Sequence, residues 1–116
     1  MDTAALLLAA VENNSQAVRN EIEFYRREIR HLGILRRDHE ELFTKLSEES
    51  QHDTTTQARR DSISRIQARI RRDIVSIENL IELHKESIQI IEEKQRRIQA
   101  EIENLVEHFL YRRHVA

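Results

Sequence analysis

The chain has 116 residues, with one Gly, no Pro, no Cys and no Trp; 34% of its residues are charged, 4% are aromatic, and the net charge is −2. This length holds one domain, and so few turn and aromatic residues exclude a strand-rich fold or a globule built on an aromatic core. The near-neutral balance excludes a global pull towards nucleic acid, and the missing cysteines exclude disulfides, thiolate metal sites and cysteine nucleophiles.

The first residues, Ala4 to Val11, form the longest apolar run, AALLLAAV. It is too short to span a membrane, and Asp2 ahead of it replaces the basic start of a signal peptide. Together with the absence of cysteine this points to a soluble, intracellular, cytoplasmic protein, with the nucleus also open.

From that run onward the pattern is helical. Ala4, Leu8, Val11, Ser15, Val18, Ile22, Tyr25, Ile29 and Leu32 recur at alternating steps of four and three. That is a heptad, with Leu8, Ile22 and Ile29 at a and Val11, Val18, Tyr25 and Leu32 at d. The phase continues through Arg36, His39, Phe43 and Leu46, where Leu35 and Leu42 widen the apolar stripe. A helix is expected over 3–50. Gly33 weakens it by about 1 kcal/mol relative to Ala and is the place where it could kink or break.

Residues 51–57 lack the pattern, and Asp53 and the three threonines favour caps and turns. This is the expected loop. A second helix is expected over 58–113, on the stripe Ile63, Ile66, Ile70, Ile74, Ile77, Ile81, His84, Ile88, Ile91, Gln95, Ile98, Ile102, Leu105, Phe109. Two consecutive steps of four, Ile66–Ile70–Ile74, form a stutter that would locally unwind a supercoil. At 1.5 Å per residue the helices would be about 70 and 85 Å long.

So short a connection favours antiparallel neighbours. Folding about residue 53 sets Phe43 opposite Ile63, Leu32 opposite Ile74, Ile29 opposite Ile77 and Ile22 opposite His84. The expected fold is all-α: a long antiparallel helical hairpin, a coiled coil whose seam includes Ile22, Ile29, Ile77, Ile81 and Ile88. Apolar residues also recur off the seam, with Ala10, Ala17 and Phe24 on the first helix and Leu80, Leu83 and Ile90 on the second. Bare stripes on a soluble helix pair mark interaction surfaces. Phe24, Leu80, Leu83 and Ile90 are therefore the expected oligomer or partner interface, and two hairpins joining as a four-helix bundle is the simplest assembly. The alternative is a three-helix monomer folded at Gly33.

Chemistry-bearing motifs are weak. Glu28–His31 and Glu49–His52 have the Glu-x-x-His spacing of di-iron bundles, but they lie about 30 Å apart on one helix. His39 and His84 fall on the seam, as tolerated neutral histidines or as pH-sensitive weak points. Asn13-Asn14-Ser15 matches a glycosylation sequon inside a helix, and Arg59-Arg60-Asp61-Ser62 resembles a basophilic kinase site. No phosphate loop, zinc motif or nucleophile triad occurs, so no enzyme activity, cofactor or metal is expected.

Two stretches are basic: 26–37 has five arginines against Glu28, and 59–73 has six against Asp61 and Asp73. In the folded-back pairing Arg36 and Arg37 lie level with Arg69–Arg72, forming a positive band. Arg36, Arg37, Arg65, Arg69 and Arg72 are candidate contacts for an acidic protein or a phosphate. The functional expectation is a non-enzymatic, self-associating coiled-coil scaffold or adaptor, most simply a homodimer, that also binds another protein. A small regulator binding nucleic acid or an anionic surface through the arginines is the alternative, and a membrane-surface protein inserting Ala4–Val11 is a third class.

Overall fold

The computed structural model describes the backbone of residues 2–115, and side chains in that range other than those of Ala4 and 113–115. Two helices account for nearly all of it: α1 (Thr3–Ser50) and α2 (Gln57–Val115), packed antiparallel as a hairpin, with no strand among the described residues. α1 runs unbroken through Gly33, because one glycine weakens a helix by only about 1 kcal/mol while the turns on both sides hold. The three-helix arrangement that a break there would permit is not formed.

The turn, 51–56, is fastened from both helices. α2 starts at Gln57, one residue earlier than its pattern suggests, because the Thr56 hydroxyl accepts a hydrogen bond from the Arg59 N–H (3.2 Å) and so caps the helix. At the end of α1, the Thr55 hydroxyl donates to the Glu49 carbonyl. The Arg60 guanidinium donates to the Ser50 carbonyl (3.1 Å) and the His52 carbonyl (3.4 Å). Carbonyls at a helix end have no partner within the helix, and these contacts satisfy them.

The helix pair divides into two compact units, 26–85 around the turn and 1–25 with 86–116. In the 26–85 unit Leu46, Ile63 and Ile70 form a buried cluster with Phe43 and Ile74 packed on it, and Ile77 and Ile81 are buried as well. Ile63 is fully covered. In the other unit the seam positions Val11, Ser15, Val18, Ile22, Tyr25, Ile88, Ile91, Gln95, Ile98 and Ile102 are half-buried, and no described side chain is fully buried.

The stutter expected in α2 is absent. The inward positions are Ile63, Gln67, Ile70, Ile74, Ile77 and Ile81, an unbroken alternation of four and three. Gln67, not Ile66, occupies the seam, and Ile66 is 38% exposed. The exchange is tolerable because Gln67 Nε2 donates to the Ser47 hydroxyl (2.7 Å) and the Phe43 carbonyl (3.2 Å), leaving no lone amide in the seam.

The expected pairing is also displaced. Phe43 lies beside Gln67, with the Arg71 guanidinium 4.9 Å from its ring centroid, and His39 lies beside Asp73. Each level of α1 thus meets a level of α2 at least one helical turn further from the loop than symmetric folding about residue 53 would give. In the other unit Gln95 is placed likewise: it accepts from Asn14 (3.2 Å) and donates to the Ser15 hydroxyl (3.4 Å).

Candidate interaction surfaces

With the seam fixed at a and d, each antiparallel helix contributes its g and c positions to one side of the pair and its e and b positions to the other. Side-chain contacts across the seam of the 26–85 unit confirm the division. Gln67 reaches Ser47, and Arg71 covers Phe43, on the e side, whereas Asp73 meets His39 on the g side.

The two sides differ in chemistry. The g/c side carries Leu35 and Leu42 from α1 and Ile66, Leu80 and Leu83 from α2, each between 38% and 57% exposed. Charges of both signs share that side: Glu28, Asp38, Lys45 and Glu49 on α1, Arg59, Arg69 and Asp73 on α2. The e/b side carries Arg26, Arg30, Arg37, Glu40, Arg71, Glu78, Glu82 and Lys85, with Val75 its one exposed large apolar residue. The unit therefore has a charged side and a more apolar one, where charged and large apolar residues mix. Two stacked helices form a single layer that buries only the seam between them, so the apolar side has no cover within the unit.

In the 1–25/86–116 unit the g/c side carries Ala10, Ala17, Phe24 and Ile90, all exposed. Phe24 is 53% exposed, its ring edge-on to Tyr25 at 5.6 Å, and Ile90 is 63% exposed. The expected seam residues divide by burial. Ile77 and Ile81 are buried, and Ile22, Ile29 and Ile88 are half-buried.

The arginines do not form one band. Asp73 lies beside His39 and Arg71 over Phe43, so Arg69–Arg72 sit level with the following turn of α1 rather than with Arg36 and Arg37. Several arginines are also occupied. Arg59 grips Glu49 with two hydrogen bonds of 2.9 Å, Arg60 caps α1, Arg65 reaches Ser62 in its own turn (3.3 Å), and Arg36 lies 3.8 Å from Glu40. Arg37, Arg69 and Arg72 are exposed and make no hydrogen bond or ion pair among the described residues.

The smaller motifs are absorbed by the fold. Glu49 serves Arg59, and the His52 Nδ1 lies 2.8 Å from the Thr54 hydroxyl. Among the described residues no three His, Asp or Glu side chains gather as a metal site. In the kinase-like stretch Ser62 is half-buried and its hydroxyl accepts from Arg65. In the sequon Asn14 and Ser15 bond Gln95. His39 donates through Nδ1 to the Leu35 carbonyl (2.8 Å), with Nε2 3.7 Å from Asp73.

Leu35 and Leu42, read from the sequence as widening the seam stripe, and Ile66, read as part of it, are surface residues instead. The available signal was spacing: Gln67 stands four residues after Ile63 and three before Ile70, which keeps the heptad intact and turns Ile66 outward. No helix among the described residues is long and apolar enough to cross a membrane. No protein-family model, no curated protein and no solved structure matches the chain.

Proposed function

We propose that this protein is a non-enzymatic coiled-coil scaffold or adaptor that pairs with a second copy of itself and binds other protein chains through its helix faces. The observation that carries the reading is the apolar side of the 26–85 unit, where Leu35, Leu42, Ile66, Leu80 and Leu83 stand exposed opposite a charged side. An amphipathic helix face buries its apolar half against a partner helix. The rim has charges of both signs, Asp38 and Asp73 against Lys45 and Arg69, and this suits self-pairing better than a strongly charged ligand. A cysteine-free chain of this kind suits the cytoplasm.

The phosphate-binding alternative draws less support, because the register separates the two arginine stretches and several arginines already hold intrachain partners. Solution mass by light scattering tests the principal reading. The wild-type chain is expected to be dimeric, and Leu42→Glu/Leu80→Glu is expected to return it to one chain with helicity retained. The expected interface residues Leu83 and Ile90 are probed by Leu83→Glu/Ile90→Glu. A wild-type mass of one chain at every concentration contradicts self-association.

A further inference from the structure

The more apolar side of the 26–85 unit also carries a pair of metal-ligating atoms. His39 Nδ1 lies 2.8 Å from the Leu35 carbonyl. A carbonyl only accepts, so Nδ1 carries the hydrogen, and in the neutral ring Nε2 keeps a bare lone pair. Nε2 lies 3.7 Å from Asp73 Oδ2, across the seam and on the g/c side. Two acceptors thus face each other, an arrangement that a cation between them would satisfy. A tetrahedral zinc site with bonds of about 2.0–2.2 Å sets neighbouring donors about 3.4 Å apart, so a small side-chain rotation brings this pair to ligand spacing. The Nδ1–H bond to a backbone carbonyl is also the outer contact that commonly orients a ligating histidine. One chain supplies only these two donors, because among the described residues no third His, Asp or Glu joins them.

We infer that the pair is half of a zinc-type site that a second copy completes, with His39 and Asp73 of each chain around one divalent ion on the twofold axis. This rests on the self-association reading and names what holds its centre. The exposed apolar residues place the axis. On α1 Leu35 and Leu42 stand one heptad apart at g, and on α2 Ile66 and Leu80 stand two heptads apart, also at g. A second copy laid antiparallel on this side sets Leu35 against the other copy's Leu42, and Ile66 against the other copy's Leu80. The first pairing puts the twofold between Asp38 and His39, and the second puts it at Asp73. These are one level of the hairpin, since His39 lies beside Asp73. Two separate apolar pairings therefore bring both half-sites to the same place. The same axis gathers Asp38 and Asp73 of each copy, four carboxylates whose repulsion opposes pairing unless a cation lies among them. The cationic side chains stand off from it: Arg69 is one turn from Asp73, Lys45 is further from the axis still, and Arg36 lies 3.8 Å from Glu40. Imidazole with carboxylate suits zinc and neighbouring divalent transition metals, and an isologous contact closes at two chains.

The experiment uses the full chain, in chelator and in added zinc chloride. It reads mass by light scattering over a concentration series, with helicity by circular dichroism. Zinc is expected to tighten self-association by on the order of tenfold or more, and calorimetric titration is expected to give one ion per two chains. Cobalt(II) in its place is expected to show the visible absorption of a four-coordinate site. His39→Gln and Asp73→Asn are each expected to lose the zinc response with helicity retained. Asp73→Asn, which keeps the shape of the side chain, decides the matter if His39→Gln disturbs the seam. His31→Ala/His52→Ala is expected to keep the response, because neither histidine lies at the axis. Equal association in chelator and in zinc overturns the site; if Leu42→Glu/Leu80→Glu abolishes that association, the functional reading stands without the metal. Zinc bound with no change in mass, or a response that survives Asp73→Asn and is lost in His31→Ala/His52→Ala, marks adventitious binding and overturns the site equally. A wild-type chain that stays single in chelator and in zinc removes both readings.

Discussion

Ile63 and Ile66 are chemically identical and three positions apart, yet one is fully covered and the other 38% exposed. Ile63→Ala removes buried methylenes and leaves a cavity, so it is expected to destabilise by about 3 kcal/mol; Ile66→Ala, on the outer side, is expected to cost under about 1 kcal/mol. Urea unfolding of the two variants measures the difference, and equal losses would restore Ile66 to the seam. The Glu49–Arg59 pair allows a second test at this scale. Hydrogen bonds from Arg59 hold the Glu49 carboxyl below its ordinary value of 4.5. A depressed folded-state pKa stabilises above the unfolded value and ceases to do so as pH falls through the folded one. Glu49→Gln is therefore expected to reduce stability slightly near neutrality and to flatten the loss of stability below about pH 4.5. The effect is expected to shrink in salt, since the pair is solvent-exposed. Identical acid unfolding profiles for the two chains would show that the clamp is inert.

At the scale of the helix, both elements were legible because apolar residues at alternating steps of three and four leave little room for another reading. The phase of α1 could be followed through Arg36 and His39, which are half-buried in the seam as their positions demand. Two things were not legible. One was the seam position of Gln67, since a polar side chain enters a seam only where partners await it, and Ser47 and the Phe43 carbonyl come from the other helix. The other was the register. A seam rich in isoleucine matches itself at several offsets, and the pairing adopted is the one that also brings together half-buried polar side chains such as Gln67 and Ser47, His39 and Asp73, and Gln95 and Ser15. Gly33 illustrates the limit of local propensity: it was the natural breaking point, and the helix passes through it. A Cβ built there meets nothing within 4 Å. Gly33→Ala is therefore expected to stabilise the protein by about 0.5–1 kcal/mol, seen as a higher midpoint in thermal unfolding. A lower midpoint would mean that the helix needs the glycine.

At the scale of the molecule, the candidate surface was half legible. Leu80 and Leu83 stood out because they recur beside an already complete seam, but Leu35, Leu42 and Ile66 were hidden by their proximity to it. Only the antiparallel pairing shows that residues from two helices share one side. The same pairing dispersed the arginine band, which depended on a register that the fold does not adopt. Binding to duplex or single-stranded nucleic acid at low salt is accordingly expected to be weak, and a salt-sensitive affinity lost on changing Arg37, Arg69 and Arg72 to glutamine would reverse that expectation.

If the protein pairs with itself as proposed, another chain covers the apolar side of the 26–85 unit. Solution mass of the wild-type protein beside Leu42→Glu/Leu80→Glu tests it most directly. A dimer that the two charges separate into helical monomers is expected. A wild-type monomer, or a dimer indifferent to both substitutions, would contradict it.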